Sequence, residues 1–254
     1  ARDEEEEGVE TIKTKAGVNA RRLSKLLGPK LYGDPSEMPF VSVKEMMQNA
    51  FDAIKPMQEK GQLQKGKIAI GVDKASRIIS VTDNGTGMSP ETLSTTFLTI
   101  AGTKKEGERD SGGLGIAKMQ FLFNNEGIRV VTMRDGVASE LISSGSQLEE
   151  SMDNPDISPD IRVYRGDSIP AYVKSKLPEG HGTYVEVAVP ESYKDPSTGE
   201  DKPIPIEDYY SDYTVLEKSP LFGDIDVEFN GRTLDIGANF PYDEYTTFAN
   251  VNFD

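Results

Sequence analysis

One short stretch carries three polar side chains that could do chemistry together. Residues 42–55 read SVKEMMQNAFDAIK, in which Glu45, Asn49 and Asp52 are spaced i, i+4, i+7. In an α-helix of 3.6 residues per turn this spacing places all three on one face. A carboxylate there can accept a proton from water, and an amide oxygen can bind Mg²⁺. The alternative is a solvated helix face, although asparagine is a poor residue for the middle of a helix.

A second stretch, VTDNGTGMSPE at residues 81–91, follows a run rich in β-branched residues. Asn-Gly is a strong hairpin signal, so a tight turn is one interpretation. However, a helix is predicted to follow, because Ser89 is a suitable N-cap. The other interpretation is a pocket lined by backbone, in which Gly85 and Gly87 let a flat ligand approach closely. Asp83 could then accept a hydrogen bond from an exocyclic amine such as that of adenine.

A third stretch, SGGLGIAKMQ at residues 111–120, places glycines at the predicted start of a helix. Free backbone N–H groups at the positive end of a helix dipole form a ready phosphate site. Lys104 and Lys105 lie just before it, in the glycine-rich loop 101–113, and can reach a phosphate. The stretch matches neither the P-loop nor the Rossmann glycine pattern. A plain flexible loop is the alternative interpretation.

The composition narrows the classes of function. The 254 residues carry a net charge of −15, which argues against a broad nucleic-acid surface. With no cysteine and one histidine, we expect no disulfide framework, no cysteine or histidine metal site and no Ser–His–Asp triad. Apolar runs are too short to span a membrane, and no signal-peptide pattern opens the chain. We expect an intracellular, cytoplasmic protein that neither enters a membrane nor binds nucleic acid directly through this segment.

The remaining patterns predict the scaffold. Alternating runs predict hairpins at 67–83, 128–144 and 224–237, with further strands at 9–15, 161–166 and 182–190. Periodic runs predict helices at 18–27, 41–60, 88–100, 114–124 and 206–218, while the rest of 144–180 and residues 197–205 read as irregular. This mixture predicts the α+β class: a two-layer α/β sandwich whose mixed, mostly antiparallel sheet has helices on one face.

Four motifs occur in an order that resembles the GHKL superfamily of gyrase B, heat-shock chaperones, histidine kinases and MutL mismatch-repair proteins. EMMQNAFDA (45–53) resembles the N box, and DNGTGM (83–88) resembles the first glycine box. AGTKK with SGGLGIA (101–117) resembles the ATP lid and second glycine box, and GHGTYVEV (180–187) the third. The resemblance implies the Bergerat ATP-binding fold, and the branch stays open. We expect an acidic tail at 1–8, the ATP-binding domain at 9–190, and at 191–254 an extension that packs on it or leads to a further domain.

The resemblance also implies roles for individual residues. Glu45 would be the general base, Asn49 the Mg²⁺ ligand, and Asp83 the acceptor for the adenine amine, assisted by Thr183. The backbone and side chains that would line the base pocket are Asp52, Ala53, Gly85, Gly87 and Met88. The lid residues that would hold the phosphates are Gly102, Thr103, Lys104, Gly112, Gly113, Leu114, Gly115 and Ile116. Lys104 would also assist catalysis.

These expectations describe an ATPase that uses ATP and Mg²⁺ and is slow as an isolated domain. ATP would close the lid and favour a homodimer, and an unidentified protein client or a further domain of the same protein would respond. One alternative is a regulatory module that binds the nucleotide without hydrolysing it, or a histidine-kinase-like ATP domain that acts on a partner. Another is a non-catalytic acidic interaction domain.

Overall fold

The structure, a computed structural model, describes residues 9–14, 35–97, 121–151, 153–206 and 224–233, without the side chains of residues 96 and 97. The strands of this part are β1 Glu10–Lys13, β2 Gly66–Asp73, β3 Ile78–Asp83, β4 Gly127–Arg134, β5 Val137–Ser143, β6 Asp160–Arg165, β7 Gly182–Ala188, β8 Ser192–Lys194, β9 Asp201–Pro203, β10 Ile225–Phe229 and β11 Arg232–Thr233. Nine of them form one sheet in the order β1-β6-β5-β4-β7-β3-β2-β10-β11. Each neighbouring pair is antiparallel except β10 with β2, which is parallel. The predicted α+β class with a mixed, mostly antiparallel sheet is confirmed.

The longest described helix, α1, spans Met38–Glu59 and continues a 3₁₀ turn at Pro35–Glu37. Its apolar positions are buried and share one face: Met38, Val43, Met46, Met47, Ala50 and Ile54. This face packs across β3, β2 and β7, where alternate residues such as Ile70, Val81 and Val187 point toward it. The packing fixes the face that α1 presents to the sheet.

The second face of the sheet carries a smaller apolar cluster. Val130 and Val131 are adjacent and both fully buried, because successive strand residues point to opposite faces. Val131 packs with Val173 and Leu177, which belong to or follow the short helix α4, Ala171–Lys176. The prediction of helices on one face is therefore incomplete: α1 covers one face and α4 covers part of the other.

Other short helices lie in the described residues, and residues 121–123 are helical too. Helix α2, Pro90–Thr92, begins as predicted, since the Ser89 hydroxyl accepts a hydrogen bond from the backbone N–H of Thr92 at 3.1 Å, and a π-helical turn follows it. Helix α3, Gly145–Ser151, follows β5. Helices α3 and α4 lie within 144–180, so the irregular structure predicted there is wrong in these two places.

The chain after residue 190 adds to the structure in two ways. Strands β10 and β11 form the predicted hairpin about Asn230-Gly231 and extend the main sheet beyond β2. Strands β8 and β9 pair as a separate ribbon where a loop was expected. The Asp195 carboxylate organises the turn between them, accepting from the backbone N–H of Ser197 at 2.8 Å. One continuous sheet thus crosses the predicted boundary at 190. Helices predicted at 18–27 and, after Ile206, up to 218 lie outside the described residues.

Among the residues that the structure describes, no helix combines the length and apolar character needed to cross a membrane.

Candidate functional site

The polar stripe on α1 runs from the interior of the domain to its surface. Glu45 is only 6% exposed, Asn49 is half-buried and Asp52 is exposed. Asp52 accepts a hydrogen bond from the side-chain amide of Gln48 at 3.0 Å. The buried amide nitrogen of Asn49 has no hydrogen-bond partner in the described part of the chain. A buried glutamate and a buried unpartnered amide are not what a solvated helix face contains, so that alternative is wrong.

Asp83 ends β3 on the face of the sheet that α1 covers. Its side chain is 7% exposed and accepts a hydrogen bond from the backbone N–H of Gly85 at 2.8 Å. Burial raises the pKa of Asp83 to about 7, against the opposing effect of hydrogen bonds from the backbone N–H groups of Gly85 and Thr183. Near neutral pH this carboxyl group is therefore poised between its charged and neutral forms.

The loop after Asp83 docks directly on α1. The backbone N–H of Thr86 donates to the carbonyl of Ala53 at 3.1 Å, and a Cβ on Gly85 would lie 2.6 Å from the Ala53 carbonyl carbon. Gly87 has φ +66°, and a Cβ there would lie 1.9 Å from the carbonyl oxygen of Met133. Only glycine fits at either position. Contact between protein segments is therefore one reason why both positions are glycine. The close approach of a flat ligand to these glycines stays a prediction.

A threonine that sequence reasoning missed joins the first glycine box to the third. The fully buried Thr132 hydroxyl accepts from the backbone N–H of Met88 at 2.8 Å. It also lies 3.1 Å from the carbonyl oxygen of Gly182 and 3.0 Å from the Thr183 hydroxyl. The sequence did indicate that Thr132 is buried, because strand alternation places it on the same face as the buried Val130.

Asn84 shows why the Asn-Gly pair is not a hairpin turn. Its side-chain oxygen accepts from the backbone N–H of Lys67 at 2.7 Å, and its amide nitrogen donates to the carbonyl of Lys65 at 3.2 Å. These bonds tie the loop to the start of β2, so the chain leaves β3 toward α2 instead of folding back. The tight-turn interpretation is wrong. Gly182, with φ +114°, packs directly against the backbone of Asp83, because a Cβ there would lie 2.1 Å from the Asp83 carbonyl oxygen.

The structure thus joins three of the four motifs. Ala53, Asp83, Gly85, Gly87, Met88 and Thr183 are connected by the contacts above, while Glu45, Asn49 and Asp52 lie on the same helix as Ala53. Predicted phosphate-binding residues fall outside the described residues and remain predictions: Gly102, Thr103, Lys104, Gly112, Gly113, Leu114, Gly115 and Ile116.

The model of the histidine kinase-, DNA gyrase B- and HSP90-like ATPase family matches residues 37–183, more than half of the chain. The chain belongs to this family. No curated protein sequence matches it. The matched range contains α1, the strands from β2 to β6, and the start of β7, where the match ends at Thr183. The GHKL resemblance is confirmed, and this GHKL domain is of the ATP-binding type.

Proposed function

We propose that this GHKL domain binds ATP with Mg²⁺ and hydrolyses it. The single observation that carries the proposal is the placement of Glu45: a buried carboxylate on α1, one turn from Asn49 and on the helix against which the Asp83 loop docks. A glutamate whose only role was to face solvent would lie on the outer face of α1. A carboxylate beside a nucleotide site can accept a proton from an attacking water.

Base recognition falls to Asp83 and Thr183 in this proposal. The ionised Asp83 carboxylate keeps acceptor capacity beyond the hydrogen bond from Gly85. The exocyclic amine of adenine is a donor of the matching kind. Thr183 pairs with Asp83 across β3 and β7, and its hydroxyl is held by Thr132, so it borders the same position. Asp52 and Met88 lie on the two segments that flank it.

The residues that are present suit Mg²⁺. No group of three or more His, Asp or Glu side chains that could hold a metal occurs in the described ranges, so the protein alone does not form a metal cage there. Mg²⁺ commonly takes one or two protein oxygens and completes its shell with phosphates and water. The carboxamide of Asn49, whose buried nitrogen has no hydrogen-bond partner in the described part of the chain, suits this role because its oxygen is a ligand of the kind that Mg²⁺ prefers. When bound, Mg²⁺ neutralises phosphate charge and makes the terminal phosphorus more open to attack.

Glu45 would accept the proton of the attacking water, and Lys104 would stabilise the phosphate charge that develops. Closure of the lid over ATP, and a homodimer that forms in response, are the conformational part of the proposal. A regulatory module that does not hydrolyse ATP, or a kinase-like domain, would have no need of a water-activating base. The buried Glu45 therefore favours hydrolysis over both.

The test separates binding from turnover at two residues of α1. Glu45→Gln keeps the buried shape but removes the base, so ATP should still bind while hydrolysis falls about 10²-fold or more. Asn49→Ala removes the metal ligand, so Mg²⁺-dependent ATP binding itself should weaken. Glu59→Ala is the control, because Glu59 is an exposed glutamate on the same helix.

Calorimetry gives the affinity and ADP release gives the rate. The test requires that the parent protein hydrolyses ATP. If Glu45→Gln then hydrolyses ATP at the parental rate, Glu45 is not the base and the mechanism is refuted.

A further inference from the structure

The only histidine of the chain lies against the loop that carries Asp83. Nδ1 of His181 is 2.9 Å from the carbonyl oxygen of Gly85. A carbonyl oxygen can only accept, so Nδ1 must carry a hydrogen and donate it. This contact therefore determines which ring nitrogen of a neutral His181 is protonated.

The other side of the imidazole faces a carboxylate that is itself held in place. Nε2 of His181 is 3.7 Å from Glu179, which accepts hydrogen bonds from the Lys67 ammonium at 3.1 Å and the Asn84 amide at 3.3 Å. Desolvation opposes ionisation of Glu179, but these two bonds, together with nearby positive charge, outweigh it and lower the pKa of the carboxyl group. Glu179 is therefore ionised at neutral pH, and it borders the ring on the side away from Gly85.

Gly85 is the link between this pair and the base pocket. Its N–H donates to the Asp83 carboxylate, and its carbonyl accepts from His181. The hydrogen bond from His181 limits the rotation of Gly85. It therefore keeps the Gly85 N–H aligned with the Asp83 carboxylate. We propose that His181, through its hydrogen bond to the Gly85 carbonyl, is a positioning residue that orients Asp83 toward the exocyclic amine of the base and so sets base selectivity. The inference rests on the proposed role of Asp83.

A purely structural His181 would behave differently. If it only stabilised the loop, its loss would lower the melting temperature and weaken all nucleotides alike. A positioning residue acts on one hydrogen bond, so its loss should weaken ATP more than purine riboside triphosphate, which is ATP without its exocyclic amine. The ratio of the two dissociation constants therefore distinguishes positioning from general stabilisation.

Two substitutions form a matched pair. His181→Asn places an amide nitrogen near the position of Nδ1 and keeps the donor to Gly85. His181→Gln places its amide near the position of Nε2 and loses that donor. We expect His181→Gln to weaken ATP binding about five-fold, the usual scale for one hydrogen bond, with little change for purine riboside triphosphate. His181→Asn should stay within about two-fold of the parent for both ligands.

Nitrogen-15 NMR of the unsubstituted protein provides a second measurement that needs no variant, because a single histidine gives a single set of ring signals. The neutral ring should carry its hydrogen on Nδ1; a hydrogen on Nε2 would overturn the proposal. Equal ratios for His181→Gln and the parent would also overturn it while leaving ATP binding and hydrolysis untouched. A parent chain that binds no ATP would instead refute the proposed function, and this inference with it.

Discussion

Asp83 should make the stability of the ligand-free domain depend on pH in an unusual direction. Its pKa is about 7 in the folded chain against an ordinary value of 3.8, because burial opposes the charged form. The folded state therefore holds this proton more tightly than the unfolded state does. Between these two pKa values, raising the pH removes the proton from the unfolded chain first, so this group lowers the free energy of unfolding as pH rises.

The magnitude follows from the two pKa values. Each pKa unit corresponds to about 1.4 kcal/mol, so the full effect across the window approaches about 4 kcal/mol. Between about pH 5.5 and about pH 8, the contribution of Asp83 to the free energy of unfolding falls by about 2 kcal/mol. The side chain is almost fully buried, so solvent screening reduces this value little.

Asp83→Asn isolates this contribution. An asparagine oxygen can accept the same N–H of Gly85, but the side chain does not titrate in this range. Urea unfolding of both proteins at the two pH values should show the parent losing about 2 kcal/mol more than the variant as the pH rises. All other titrating groups are shared and cancel in the difference. Parallel pH dependence in the two proteins would refute the raised pKa and the burial argument behind it.

Three further predictions concern the same loop. The adenine amine favours the ionised Asp83, so calorimetry should show ATP affinity falling more steeply below about pH 7 in the parent than in Asp83→Asn, which shares the titration of the phosphates. Gly87→Ala should destabilise the domain by about 3 kcal/mol or more in urea unfolding, because its Cβ meets the Met133 carbonyl. Gly136→Ala, with a similar positive φ but open space around it, should cost about 1 kcal/mol. Thr132→Val should cost about 1–3 kcal/mol by leaving the Met88 N–H unpaired, whereas Thr132→Ser keeps the hydroxyl and most of the stability.

The features predicted well from the sequence are those that short-range chemistry determines. The hairpins about Asp135-Gly136 and Asn230-Gly231 form because both residues of each pair adopt positive φ, which these types tolerate. The Ser89 cap needs only a hydroxyl three residues before a free N–H. The polar stripe on α1 follows from helical spacing alone. Each of these signals lies within a dozen residues of sequence.

The features that sequence reasoning missed depend on partners far along the chain. Thr132 and Met88 are 44 residues apart, and Asn84 and Glu179 are 95 apart. The glycine pattern located the loop but not the reason for it, since the atoms that exclude a side chain at Gly87 belong to Met133. Helix α4 is six residues long and covers part of the second sheet face, for which its own sequence carries little periodic signal.

The setting of Asp83 supports its proposed role in ligand recognition more strongly than any motif does. A buried carboxylate is tolerable when it is paired with a cation. Among the described residues, the groups that bond to Asp83 are backbone N–H groups, and they do not offset the cost of burial, as the raised pKa shows. An asparagine could accept the same N–H of Gly85 without that cost. A charged group held at a loss of stability is explained if a ligand supplies the missing donor. The exocyclic amine of adenine would be that donor, and the free energy lost by the empty domain would then reappear as affinity for ATP.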